Sequence, residues 1–545
     1  MTKVALLDEK KNISFWLAGG LLVALMTMSL TRDLNRPFIG LHSWAEASSA
    51  WVARAHVNYG FGYTKGACTW AVGNPPAQNP ERYWDHPQLA NIILSLGMQV
   101  LGTGESTIRI SKTLYAVAAL LIFLKLLKDL TDERTALLAG LFFVIFPIVQ
   151  YFGVEGSLLP LGLASIWFYL KLIGIKDNKP EKLKRYYFGL AITTFLGLIL
   201  GWAAFFFAMA IGVHYVFHCI HRKTWPDKWL LTILIAAPFF ALVMNFTIMA
   251  AGYNWDVQKI VDLYKWRASK GERPEFIWSE WFATFWKHAV TNFTIPVLLL
   301  TIVYLTVGQL FVFAKNNVQG TIASRQNRFP QFCLFLMPWV FQLLILRGCL
   351  WQHQSWESPM SPFLAIASAL GVLTLRDVIA KINLKAGNIA AVSLVAILFI
   401  VSIYGGNHYY GIQWQPIEKI KMFKTLNQVI PPDKALLSFE DFIVNQNEAK
   451  GGFYRPEYAY YLDREITPAT SLEEIEKYAA SGKYPYYLVP NVPQLAELTN
   501  KLYSRYALFR YISDDPGETK NGAFFKAGMM PYLIFDLQNK KPANR

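Results

Sequence analysis

Residues 31–112 hold an unusual density of groups able to do acid–base and phosphate chemistry, set between two apolar segments. The stretch reads HSWAEASSAWVAR (42–54), then YWDHPQLANIILSLGMQVLG (83–102), then ESTIRISKTLYAV (105–117). Glu46 offers a carboxylate able to take the proton of a hydroxyl. Arg109 and Lys112 stand one helical turn apart, and a planar guanidinium beside a compact ammonium suits a phosphate. His86 and Arg54 are further candidate phosphate contacts. Farther along, FPIVQYFGVEGSLLPLG (146–162) places Glu155 between two apolar runs, and RGCLWQHQSWESPMSP (347–362) gathers Arg347, His353 and Glu357. Ionisable groups this near hydrocarbon are costly and point to function by default.

Each of these residues also has a plainer reading. Ser43-x-x-Glu46 is a capping box, in which Glu46 would only reach back to the start of its own helix. His86 can be the residue that caps a helix opening at Pro87. Arg109 and Lys112 can snorkel toward headgroups. The 347–357 loop can be an interfacial belt, a reading weakened by three ionisable groups so close together.

The elements that must position these groups are membrane spans. The chain has 545 residues, 54% hydrophobic and only 16% charged, with a mean hydropathy of +0.26. Apolar runs fall at 13–30, 107–127, 135–151, 156–173, 188–202, 203–219, 229–250, 291–314, 331–347, 358–375 and 388–403. At about 20 residues each this predicts about eleven transmembrane helices, the split near Gly201 being the weakest boundary. The segment at 13–30 has no small-residue cleavage site and reads as retained. An aromatic share of 15% with 18 Trp fits extensive interfacial surface. The net charge of +15 follows from basic loops facing anionic lipid, so membrane lipids and no nucleic acid are expected as partners.

With eleven spans, roughly 21 Lys and Arg fall on the N-terminal side and roughly 12 on the other before residue 404. The positive-inside rule then puts the N-terminus in the cytoplasm of a plasma (inner) membrane protein. Loops 31–106, 251–290 and 347–357, and everything after 403, face outward. Cys68 and Cys349 could both face outward, so a bond between them is open; the four Cys form no metal spacing.

Within loop 31–106 two surface helices are expected. One runs over about 44–57 from the Ser43 cap. The other opens at Pro87, with Leu89, Ile92, Ile93, Leu96 and Val100 as its buried stripe. Residues 1–403 thus form the membrane module. Residues 404–545 read as a small α/β domain, with strands in KALLSFE, YPYYLVP, RYALFRYI and PYLIFDL. Ser471 with Glu474 should open a helix that Gly482 closes, and Asn491 before Pro493 should open another.

Taken together, the acidic motif in the first loop, the DHPQ entry to a surface helix, TIRISKTLYAV, FGVEGSLLPL and HQSWESPMSPFLA form a pattern. In it the chain resembles the membrane-embedded glycosyltransferases of the GT-C class. The nearest likeness is to the family-39/83 group of protein O-mannosyltransferases and the lipid A aminoarabinose transferase. The resemblance covers residues 13–403. It implies transfer of a sugar from a polyprenyl-phosphate carrier to a hydroxyl acceptor, which can be a protein, a lipid or a glycan. Glu46 would be the base, Glu155 would orient the acceptor or share that role, and loop 251–290 could close as a lid. Here Glu46 has Ala45 before it where relatives often carry an acidic pair or an Asp, and His86-Pro87 is followed by Gln88 in place of a second Pro, with no acid just after it. No cofactor is therefore fixed; a divalent metal ion stays open. The competing reading is a transporter or flippase, which should show internal repeats and interrupted midplane helices; no convincing repeat is present.

Overall fold

The computed structural model describes the chain apart from residues 1–2, 85, 151–154, 175–179, 270–274, 309–328, 414–416, 440–455, 513–531 and 542–545. The chain forms two compact units, and neither is a continuous stretch. The first comprises Met1–Leu34, Trp84–Ala90 and Ser106–Ile412; the second comprises Asn35–Tyr83, Asn91–Glu105 and Gln413–Arg545. A linear boundary at 403/404 was expected. Instead, most of the first loop folds with the C-terminal stretch.

The first unit is a helical membrane bundle. Among the described residues seven helices are long and apolar enough to span a bilayer, or eight if one bent pair counts as a span. Among the described residues each apolar run of the sequence falls largely on helix, but several of these helices are short, such as Glu133–Ile145 and Leu159–Gly174. The 188–219 region is two helices, Pro180–Leu200 and Ala203–Arg222, separated at Gly201 and Trp202. The run at 291–314 is not one straight span. Trp278–Phe293 and Ile295–Gly308 meet at 98°. The break falls at Thr294, whose φ of 68° is left-handed, and Pro296 sits in the first turn of the helix that follows. The core is aromatic and aliphatic, with Phe123, Phe142, Phe143, Tyr169, Phe293 and Tyr304 all fully buried. Trp84 lies close against the end of Lys228–Gly252: a Cβ on Gly252 would overlap its indole, so only glycine fits.

The second unit is α/β. Its five-stranded sheet runs in the order Ile466–Pro468, Leu436–Ser438, Tyr486–Pro490, Tyr532–Lys540, Tyr506–Ile512. The first three strands are parallel, with Leu436 opposite both Ile466 and Tyr486. Tyr532–Lys540 pairs antiparallel with both of its neighbours, Phe535 lying opposite Tyr487 on one side and Leu508 on the other. Four of the five strands lie in the runs the sequence marks, and Ile466–Pro468 is the addition. Alternating residues Leu437, Tyr487, Val489, Leu533, Phe535 and Leu537 fill the core. The capping box at Ser471 and Glu474 is present on helix Leu472–Ala480, and Gly482 (φ 70°) follows its end. Asn491 does not open a helix. A short turn at Pro493–Leu495 has Val492 at its cap position and leads into Ala496–Arg505.

The first-loop helices depart from expectation. Ser43–Thr64 is longer than 44–57 and breaks at Gly60. The second helix is Leu89–Leu101, so Pro87 precedes it and does not form its first turn. Its buried residues are Leu94, Ser95 and Met98, while Ile93, Leu96 and Val100 are 39%, 52% and 82% exposed. The helix is apolar nearly all round, so periodicity could not tell the protein face from the lipid face. Cys68 is buried and its Sγ accepts from Asn91 Nδ2 at 2.9 Å; the Cys349 side chain lies outside the described residues.

Candidate active-site groups and the fold that carries them

Glu46 sits in the first turn of Ser43–Thr64, half-buried. The expected capping box does not form. The cap position is His42, and Ser43 turns its hydroxyl away to donate to Glu457 Oε1 at 2.7 Å. Both Glu46 and Glu457 therefore lie near the helix start, where the macrodipole favours negative charge. Arg54, on the same helix, is buried and committed to structure. Its Nη1 donates to the Tyr460 carbonyl at 2.6 Å and its Nη2 pairs with Asp463 Oδ1 at 3.1 Å. These contacts hold the C-terminal end of helix Pro456–Leu462, where a cation is favoured. Arg54 is thus a tie within the fold.

Two groups that sequence reading passed over also belong to this unit. His56 Nδ1 lies 2.8 Å from Thr64 Oγ1, its ring stacks on Phe61 at 5.0 Å, and burial lowers its pKa to about 4. Glu105 accepts from Lys424 Nζ at 3.0 Å and from the Tyr461 hydroxyl at 2.9 Å. Burial, and then the charge of Glu105, push the Tyr461 phenol well above its ordinary pKa. Neither residue carries a local motif; both are legible only through partners distant in sequence.

The remaining candidates belong to the first unit. Arg109 Nη1 donates to the carbonyls of Leu34 at 2.6 Å and Asp33 at 3.0 Å, closing the turn that ends the first helix. The same turn is held by Tyr410 donating to Asp33 Oδ2 at 2.6 Å and by Arg32, which lies over the Tyr410 ring at 3.6 Å. Lys112 is half-buried one turn farther along Glu105–Leu130. His86 is half-buried, and its carbonyl accepts from the Gln88 amide.

Glu155 opens the short turn Glu155–Leu158; its side chain lies outside the described residues. That turn packs against Gln354–Met360, which carries Glu357. The two acidic turns are therefore neighbours, although 200 residues apart in sequence. Glu357 is 0% exposed, and its Oε2 accepts from Asn292 Nδ2 at 2.7 Å. Asn292 also donates to the Gln354 carbonyl at 3.1 Å and accepts from Gln354 Nε2 at 2.8 Å. A carboxyl group sealed in this way is a poor phosphate contact, being inaccessible. The Arg347 guanidinium lies over the Phe276 ring at 4.6 Å and near that of Trp278 at 5.7 Å. His353 is exposed and stacks on Trp356 at 6.3 Å. Among the described residues no group of three or more His, Cys, Asp or Glu side chains is arranged to hold a metal ion, and no chemical step is derived through one.

This architecture can be set beside known ones. The structure of ArnT from Cupriavidus metallidurans in the apo state aligns with a TM-score of 0.59 over 97% of this chain and 98% of that one, at 11% identity. The same protein bound to undecaprenyl phosphate aligns at 0.58, over 96% and 97%, again at 11% identity. The fold is that of a GT-C membrane glycosyltransferase. A more distant likeness of the GT-C fold is to the Archaeoglobus fulgidus oligosaccharyltransferase in its apo form. There the TM-score is 0.52 over 87% of this chain and 69% of that one, at 12% identity. The sequence model of the family described as dolichyl-phosphate-mannose-protein mannosyltransferase matches residues 85–246. That span contains His86, Arg109, Lys112 and Glu155, and it omits Glu46 and the 347–357 loop. No curated protein matches the chain by sequence.

Proposed function

We propose that this chain is a glycosyltransferase that moves a sugar from a polyprenyl-phosphate carrier to a hydroxyl acceptor at the extracytoplasmic face of the membrane. The observation that carries the reading is likeness over the whole length, not over one domain, to a structure holding undecaprenyl phosphate. The acceptor oxygen attacks the anomeric carbon and its proton passes to a carboxylate. The bond from that carbon to the phosphate oxygen breaks, and polyprenyl phosphate leaves. One such displacement inverts the anomeric centre. Glu46 is assigned as the base because it is accessible in part and lies in the first turn of Ser43–Thr64. Glu155 is assigned to orient the acceptor. Lys112, His86, His353 and the outer nitrogens of Arg109 are assigned to the leaving phosphate, whose growing charge needs fixed positive groups. Arg54 and Glu357 are not part of this assignment, for the packing reasons above.

The test is sugar transfer from lipid-phosphate donor in membranes carrying wild-type, Glu46→Gln or Glu155→Gln protein. Glu46→Gln is expected to lower turnover by about 10²–10⁴-fold, the usual worth of a general base, with undecaprenyl phosphate binding kept. Near-normal turnover in an inserted, folded Glu46→Gln protein would show that the base lies elsewhere. Mass spectrometry of glycolipids and surface glycoproteins, with and without the chain, identifies donor sugar and acceptor together.

A further inference from the structure

The second unit joins two stretches that are more than 300 residues apart, and one short helix carries several of the ties between them. Pro456–Leu462, sequence PEYAYYL, has every residue buried. Tyr461 accepts from the Phe38 backbone at 2.7 Å and donates to Glu105; Tyr460 donates to the Thr103 carbonyl. Asp463, just past the helix, accepts from Gly73 N at 3.1 Å and pairs with Arg54. Glu457 accepts from Ser43 while only 1% exposed. A carboxylate so deeply buried carries a large desolvation cost, and an apolar pair would have served packing alone better.

The spacing of these ties along Ser43–Thr64 gives them a second consequence. Ser43 and Arg54 are eleven residues apart, which at about 100° per residue returns to within roughly 20° of the same face, about 16 Å along the axis. Ala47 and Ala50, both 0% exposed, lie within about 40° of that line and let Pro456–Leu462 approach closely. A helix held at two points on one face cannot slide or rotate. Glu46 lies between those points, about 60° around from Ser43.

We propose that Pro456–Leu462 is the element that positions the Glu46 helix, with Glu457 as a positioning residue acting through Ser43. The stretch after residue 413 then serves the first-loop carboxylate by fixing where it stands, and the inference rests on the reading of Glu46 as the base. Misplacing a reacting group by an ångström or so is enough to slow transfer strongly.

The experiment uses the full chain in membranes and in detergent, with Glu457→Ala, Glu457→Gln, Ser43→Ala and the Ser43→Ala/Glu457→Ala double variant. Amide exchange over residues 43–52 should rise in the two single alanine variants. Transfer kcat should fall about tenfold, with binding of undecaprenyl phosphate within twofold of wild type. Glu457→Gln keeps a carbonyl oxygen for Ser43 and should retain more than half the rate. The double variant should be no worse than either single one, since all remove the same tie. Unchanged exchange at 43–52, or faster exchange with normal kcat, overturns the proposal. So does an additive double variant, or a fall in kcat matched by a fall in folded protein. Glu46→Gln run alongside separates the two ideas. If it is inactive while Glu457→Ala is normal, only the positioning fails. If it is fully active, the assignment of the base fails, and the exchange data still decide whether Glu457 holds the helix.

Discussion

His56 is buried at 1% exposure with its Nδ1 against Thr64 Oγ1, and it is neutral in the folded protein because burial disfavours the imidazolium. Its folded pKa of about 4 lies below the ordinary histidine value of 6.5. Between those values the unfolded chain binds a proton that the folded chain does not, so stability rises with pH across that window. The contribution is fully present above pH 6.5 and is lost as pH falls toward 4, to a limit of roughly 3 kcal/mol. His56→Gln should flatten the acid limb of the unfolding curve between those pH values while leaving the plateau above pH 7 lower by a constant amount. Thermal melts at half-unit pH steps read this directly. An acid limb unchanged in His56→Gln would assign it to the carboxylates instead. The same reasoning predicts that any activity change near pH 7 does not come from His56.

At the scale of elements, the contact between Trp84 and Gly252 is the sharpest steric demand in the first unit. A methyl group added at Gly252 meets the indole at overlap, and overpacking of this kind costs about 1–3 kcal/mol. Gly252→Ala should lower the melting temperature in detergent, and Trp84→Ala added to it should restore part of the loss. Two additive losses would mean that the residues do not share one space. Segment 84–90 carries His86, so the same variant should also weaken undecaprenyl phosphate binding if His86 serves the leaving phosphate. Elements with a strong local signal were legible in the sequence: the apolar runs, four strands and the Ser471 capping box. Elements defined by distant partners were not. Ser43 carries a perfect local capping pattern, yet its hydroxyl is claimed by Glu457, 414 residues away. Of the stripe expected on Leu89–Leu101, Ile93, Leu96 and Val100 are exposed while Leu89 and Ile92 are half-buried, because lipid and protein interior accept the same side chains. Of the candidate site, the acidic and basic residues were legible by type and spacing. That Arg54 and Glu357 are consumed by packing was not, since only tertiary contacts show it.

The whole molecule is partitioned by contact and not by sequence, and the partition itself can be tested. Among the described residues, the face of the sheet built on Leu437, Tyr487, Val489, Leu533, Phe535 and Leu537 packs against residues of 435–537 alone. Pro456–Leu462 differs. Its Glu457, Tyr460 and Tyr461 spend their polar atoms on Ser43, Thr103, Phe38 and Glu105, none of which lies after residue 413. A fragment spanning 404–545 would keep the sheet and the packing of Phe423 on Tyr458 at 4.7 Å, but would leave that helix without its first-loop partners and with one buried carboxylate exposed. Seven residues are too few to hold a helix in water without packing. The fragment should therefore show dispersed, protected amide signals for Tyr486–Pro490 and Tyr532–Lys540, and faster exchange over 456–462 than in the full chain. In the full chain both regions should be protected. A fragment in which 456–462 stays protected would mean that the helix is organised by its own domain. The first loop would then lean on a preformed surface, and the two stretches would not fold as one unit. Equal loss of protection in sheet and helix would mean instead that the C-terminal stretch has no core of its own.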